Sequence, residues 1–117
     1  MFIDFGLGPI PDPTAVTQQF VELLIQKTDA LIAGTAAAEP VLKNGDFVKL
    51  RVKARDIRAK LVEGDYLEAL NKTNLFLSFI DKAIFDTDPL LNHEGNLIMR
   101  AGNIKFILEV KVLPFMQ

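Results

Sequence analysis

The chain has 117 residues and a formal net charge of −2; half of it is apolar and 24% is charged. That length and balance fit one globular domain with a single core, and exclude disordered and collagen-like chains. With no cysteine, one histidine and one serine, disulfide scaffolds, thiolate metal sites and most nucleophilic constellations are excluded too.

Residues 1–12 read as an extended arm. Phe2, Ile3, Phe5, Leu7 and Ile10 are apolar, while Gly6, Gly8, Pro9 and Pro11 forbid a helix. Such an arm is expected to lie against its own bundle or to insert into a neighbouring subunit. It does not read as a signal peptide, because it lacks a cationic start and Asp4 interrupts the apolar run.

Residues 13–117 are expected to form the helical domain. The first helix is predicted to start at Asp12 as N-cap with Pro13 in its first turn. Val16, Phe20, Leu23, Leu24, Ala30 and Leu31 give it an apolar face, and Gly34 is the expected C-cap, with Ala36 to Ala38 as a possible extension. The second helix follows Asn44, Gly45 and Asp46. Phe47, Leu50, Ala54, Ile57 and Leu61 step by 3, 4, 3 and 4, a bundle seam, with Val48, Val52, Ala59 and Val62 expected to widen it.

The third helix is predicted to begin at Asp65, with Glu68 completing a capping-box pattern. Leu67, Leu70, Leu77 and Ile84 form one stripe; Ala69, Thr73, Phe76 and Ile80 form the next. Asn74 falls near the seam. The tight Glu63-Gly64-Asp65 junction predicts an antiparallel hairpin of helices with Leu50, Ala54, Ile57, Leu70, Leu77 and Ile80 in its core. In the last segment, Asp88-Pro89 repeats the cap signal, and Leu97, Ala101, Ile104, Leu108 and Val112 fit a helix. The same stretch, rich in Ile and Val around Gly102, also reads as a β-hairpin. The expected fold is all-α, a small up-down bundle of three to four helices, with α+β and a C-terminal hairpin as the alternative.

The run from Leu61 through Gly64, Asp65, Ala69 and Leu70 to Phe79, Ile80 and Asp81 resembles the pattern of FIMAH-type accessory domains. Leu42 to Gly45 upstream, and Gly95, Leu97, Ile98 and Ala101 downstream, extend the resemblance over residues 41–110. It implies a small helical module of a secreted or surface protein and a non-enzymatic role. Asp81 stands where the family has Asn, and the motifs name no catalytic or ligand-binding residue.

Charge is unevenly spread. Residues 43–60 hold seven cations (Lys43, Lys49, Arg51, Lys53, Arg55, Arg58 and Lys60) against Asp46 and Asp56, a local balance of +5; the rest of the chain therefore carries −7. The plain expectation is a solvated face answered by acids on neighbouring helices. The alternative is a basic face of Lys49, Arg51, Lys53 and Arg55, on the helix at 46–63, that binds an anionic macromolecule, either nucleic acid or an acidic protein.

Other chemistry is thin. Asp86 and Asp88 begin like a calcium loop, but Leu90 and Leu91 stand where a further oxygen ligand and glycine are needed, so no metal is expected. His93 reads as a surface loop residue, Ser78 as a small packing residue, and Gly6 and Gly8 as arm flexibility without a dinucleotide loop. The sequence thus predicts no enzyme and no cofactor. It predicts a structural or protein-interaction module, homo- or hetero-oligomeric, within a virion, appendage or surface protein. Protein is the expected partner, ahead of nucleic acid, and no segment spans a membrane. The expected location is virion or cytoplasm for a whole protein, and extracellular for an excised domain.

Overall fold

The structure is a computed structural model that describes residues 13–82 and 93–115. Four helices make up the fold: α1 (Pro13–Ala37), α2 (Asn44–Glu63), α3 (Tyr66–Ile80) and α4 (His93–Ile107). Each packs on its neighbours in the order α1–α2–α3–α4 and back to α1, so α2 and α4 lie diagonally across the bundle. This is the expected all-α bundle. No β-hairpin forms, because residues 93–115 are helical throughout. The predicted arm, Asp12, Ile84 and Asp88-Pro89 lie outside the described residues.

One seam per helix builds the core. On α2, Phe47, Leu50, Ala54, Ile57 and Leu61 are all buried, as are Leu97, Ala101, Ile104, Leu108 and Val112 on the last helix. On α1 the buried line is Val21, Leu24, Thr28, Leu31 and Thr35, continued just past the helix end by Ala38, stepping 3, 4, 3, 4 and 3. The sequence pattern shared Leu24 and Leu31 but included Leu23, which is 37% exposed, and lacked Val21 and the threonines. Threonines at two seam positions hide the periodicity. Their hydroxyls donate to carbonyls one turn back, Thr28 to Leu24 at 2.7 Å and Thr35 to Leu31 at 2.9 Å, leaving their methyl groups for the core. Thr73 donates likewise to Ala69 at 2.8 Å.

On α3 the choice between the two stripes falls to Ala69, Thr73, Phe76 and Ile80. Of the other stripe, Leu70 and Leu77 are partly buried and pack against the edge of the core rather than within it, and Leu67 is exposed. A helix pressed between two neighbours buries one arc, and the Phe76 ring fills it. Ser78 and Asn74 accordingly face solvent rather than packing inward.

Gly34 does not cap α1; the helix runs on to Ala37, and Pro40 then sits in a 3₁₀ turn at Glu39–Val41. A Cβ on Gly34 would lie 3.2 Å from Leu97 Cδ2, so its role is the close approach of α1 and α4. Asn44, Gly45 and Asp46 form the first turn of α2 rather than preceding it. His93 opens α4, half-buried, and is not a loop residue. Near its end this helix widens into a π turn at Leu108–Val112, with the Leu113 N–H donating to the Leu108 carbonyl. Pro114 follows; it has no N–H and crowds the carbonyl four residues back, and the widened turn falls at that point.

The α2–α3 turn is as predicted. Gly64 takes φ +83°, its N–H donating to Leu61 O at 3.2 Å while the Asp65 N–H reaches Lys60 O at 3.0 Å, a Schellman closure. The Asp65 carboxylate then accepts from the Glu68 N–H at 3.2 Å. The reciprocal half of the box is not made, since the Asp65 N–H is already spent on α2. Glu68 instead accepts from the Asn71 side chain at 3.2 Å.

Two outcomes in chemical denaturation check this packing. Phe76→Ala should cost about 3–5 kcal/mol, whereas Leu67→Ala should stay within about 0.5 kcal/mol. At the turn, Asp65→Ala should cost about 0.5–2 kcal/mol. Gly64→Val should lose more than the roughly 1–2 kcal/mol of a left-handed residue, because its branch adds strain. Equal losses at Phe76 and Leu67 would contradict the stripe assignment.

Candidate interaction face on α2

Successive residues of a helix turn by about 100°, so Arg51 and Lys53, two apart, leave α2 on nearly opposite flanks. Their contacts show which flank is which. Lys53 and Lys49 lie over the Phe79 ring of α3, their ammonium groups 5.4 and 5.7 Å from its centre. On the other side, Arg58 Nε donates to Asp29 Oδ1 of α1 at 2.7 Å. Arg51 stacks over Phe47 of its own helix at 5.2 Å, with its Nε buried and without a protein partner. Arg55 projects into solvent.

The four residues of the predicted basic face are therefore not gathered on one face. Lys49 and Lys53 lie on a border toward α3 that also carries Asp56, Arg51 and Arg58 lie on a border toward α1, and Arg55 points to solvent between the two. The Arg58–Asp29 pair is one instance of the expected answer from a neighbouring acid. Lys60 is partly met within α2 by Glu63 at 3.3 Å.

Between the borders lies what the sequence reading misassigned. Val48, Val52, Ala59 and Val62 do not widen the buried seam. Val52 stands two residues beyond Leu50 and so points away from the core, with Val48 46%, Val52 49% and Val62 60% exposed. With Arg55 they make a line stepping 4, 3, 4 and 3, a second seam on the solvent side. The signal was present in the sequence: at about 100° per residue Val48 and Val52 sit roughly 140° and 180° from the Phe47–Leu61 line, too far to share its arc, and Val62 roughly 100° from it.

Elsewhere, α4 turns Met99, Phe106 and Val110 outward, all exposed. A shallow cleft between α1 and α4 is lined by Lys27, Met99, Arg100 and Asn103. Among the described residues no group of three His, Asp or Glu side chains could hold a metal. No described helix is long and apolar enough to cross a membrane. Comparison with known proteins yields no match to a family model, a curated protein or a solved structure.

The Asp29–Arg58 pair is half-exposed on both sides. Asp29→Asn should therefore lower stability by only about 0.2–1 kcal/mol, and the difference should vanish at high salt. A salt-independent loss of several kcal/mol, read by urea unfolding, would contradict a surface role for the pair.

Proposed function

We propose that this protein is a non-catalytic interaction module, a building unit of a larger protein assembly. The observation that carries this reading is the pair of outward helix faces on a bundle whose core is already closed. On α2 it is the valine line; on α4 it is Met99, Phe106 and Val110. Water-exposed apolar side chains aligned on one helix face are the usual substrate of helix–helix docking. β-branched valine gains nothing in helix propensity from an exposed position.

The residues behind the FIMAH-type resemblance suit the same reading. Gly64 makes a turn, Asp65 a cap and Ala69 a core contact, roles of scaffolding rather than chemistry. A virion, an appendage or a surface protein is the kind of assembly such a unit serves. Direct binding of nucleic acid is the weaker alternative, because the cations border an apolar line instead of forming one continuous basic surface.

A photo-crosslinking side chain tests this in the native setting. Placed at Phe106 or at Val52, it should give discrete protein adducts. The same group at Gln26, exposed on the polar outer face of α1, should give none. A chain that forms no adduct at either apolar position and sediments alone would contradict the proposal.

A further inference from the structure

The cleft between α1 and α4 holds two cations that nothing in either helix answers. We infer, resting on the interaction reading above, that it captures the carboxylate of a Glu or Asp on a partner helix docked along α4.

Lys27 of α1 and Arg100 of α4 line the cleft together with Met99 and Asn103. Neither cation has an ion pair among the described residues. On Gly34 a Cβ would lie 3.8 Å from Arg100 Cδ, so the arginine stem runs across the α1 backbone. Its Nε is buried there without a partner. The acids of the two helices are turned away. Glu22 and Asp29 stand about 140° and 160° around α1 from Lys27, and Glu94 and Glu109 about 120° and 180° around α4 from Arg100. Asp29 is spent on Arg58 of α2. An oxyanion entering the cleft meets a guanidinium fork, an ammonium and the Asn103 amide, the donor set that suits a carboxylate.

Size narrows the ligand. The cleft offers about 50 Å³, far below the roughly 300 Å³ at which small-molecule pockets begin. It admits a carboxylate or phosphate head and excludes a nucleotide. Ion pairs at so open a site change affinity by only about fivefold at most, too little to hold a free small anion. The carboxylate must therefore arrive on something that gains contact elsewhere.

That contact is beside the cleft. Met99 at its rim begins the line Met99, Asn103, Phe106 and Val110, stepping 4, 3 and 4. The four fall within about 60° of one another, opposite the buried Leu97–Val112 seam. Met99, Phe106 and Val110 are exposed. A helix laid along this line sets one of its own borders over the cleft. There Glu or Asp meets Arg100 and Lys27, and Lys meets repulsion. A second copy packed antiparallel through the same line brings the cationic flanks of both copies to one border, and is disfavoured for that reason.

The test uses the intact chain and three fluorescent helical peptides of about three heptads. All have Leu and Ile in the seam and Gln on one border; the other border carries Glu, Gln or Lys. Anisotropy should rank them Glu, Gln, Lys, with the Glu peptide bound about tenfold or more above the Lys peptide. Arg100→Gln with Lys27→Gln should erase most of that ranking and leave the Gln peptide bound as before. Lys27→Gln alone should act in the same direction, and serves if the double variant loses its helical circular dichroism. Phe106→Ser should weaken all three peptides alike. Inorganic phosphate and acetate, added at matched ionic strength, should not displace the Glu peptide. Equal binding of the three peptides, a ranking that survives in the folded variants, displacement by phosphate or acetate, or self-association abolished by Phe106→Ser would each overturn the inference. Adducts that persist at Phe106 while the Glu peptide gains nothing would leave the interaction module standing and remove only this partner.

Discussion

A helix in a four-helix bundle touches two neighbours and can bury one arc; the other arc must meet water or a partner. On α2 that constraint decides nearly everything of interest. Leu50, Ala54 and Ile57 are fully buried between α1 and α3. Once they point inward, the positions two residues on either side must point out. Val48 and Val52 thereby become surface, and Lys and Arg are forced onto separate flanks. The same geometry holds Lys49 and Lys53 over Phe79 and brings Arg58 to Asp29.

The arrangement of charge follows from this placement rather than from composition. Seven cations in one segment suggest a basic patch when read along the chain. Wrapped on a helix, they separate: Lys49 and Lys53 rest on the Phe79 ring, Arg51 is stacked on Phe47 and Arg58 paired with Asp29 on the other flank, and Arg55 points out between them. Cation–ring contacts at exposed positions contribute about 0.5–1 kcal/mol each, so they position the lysines without neutralising them. The charge therefore stays at the surface, beside the exposed Val48 and Val52.

Legibility in the sequence tracks how completely each local signal was determined. The Phe47–Leu61 seam, the Gly64 turn and the Asp65 cap were readable because spacing, positive φ and carboxylate capping each have one structural answer there. The α1 seam was partly hidden because Thr28 and Thr35 look polar until their hydroxyls are bonded to their own helix. Gly34 resembled a stop, yet it serves a close contact with Leu97 that no local pattern announces. The C-terminal segment was open between helix and hairpin because Ile and Val suit either; packing against α1 and α3 decides it. Of the candidate binding residues, spacing alone already sets Lys49, Lys53 and Lys60 near one line and Arg51, Arg55 and Arg58 near another, whereas the valines were assigned to the wrong arc.

The central claim is that α2 carries two seams, one that holds the fold and one that does not. Replacing Val48, Val52 and Val62 together with Thr tests it directly, since Thr keeps the shape and adds a hydroxyl that is costly only where water is excluded. The account predicts an unfolding free energy within about 1 kcal/mol of the parent, because all three side chains are already wet. A loss of several kcal/mol would mean that the valines are packed within the protein itself, and would contradict the division of α2 into an inner and an outer face.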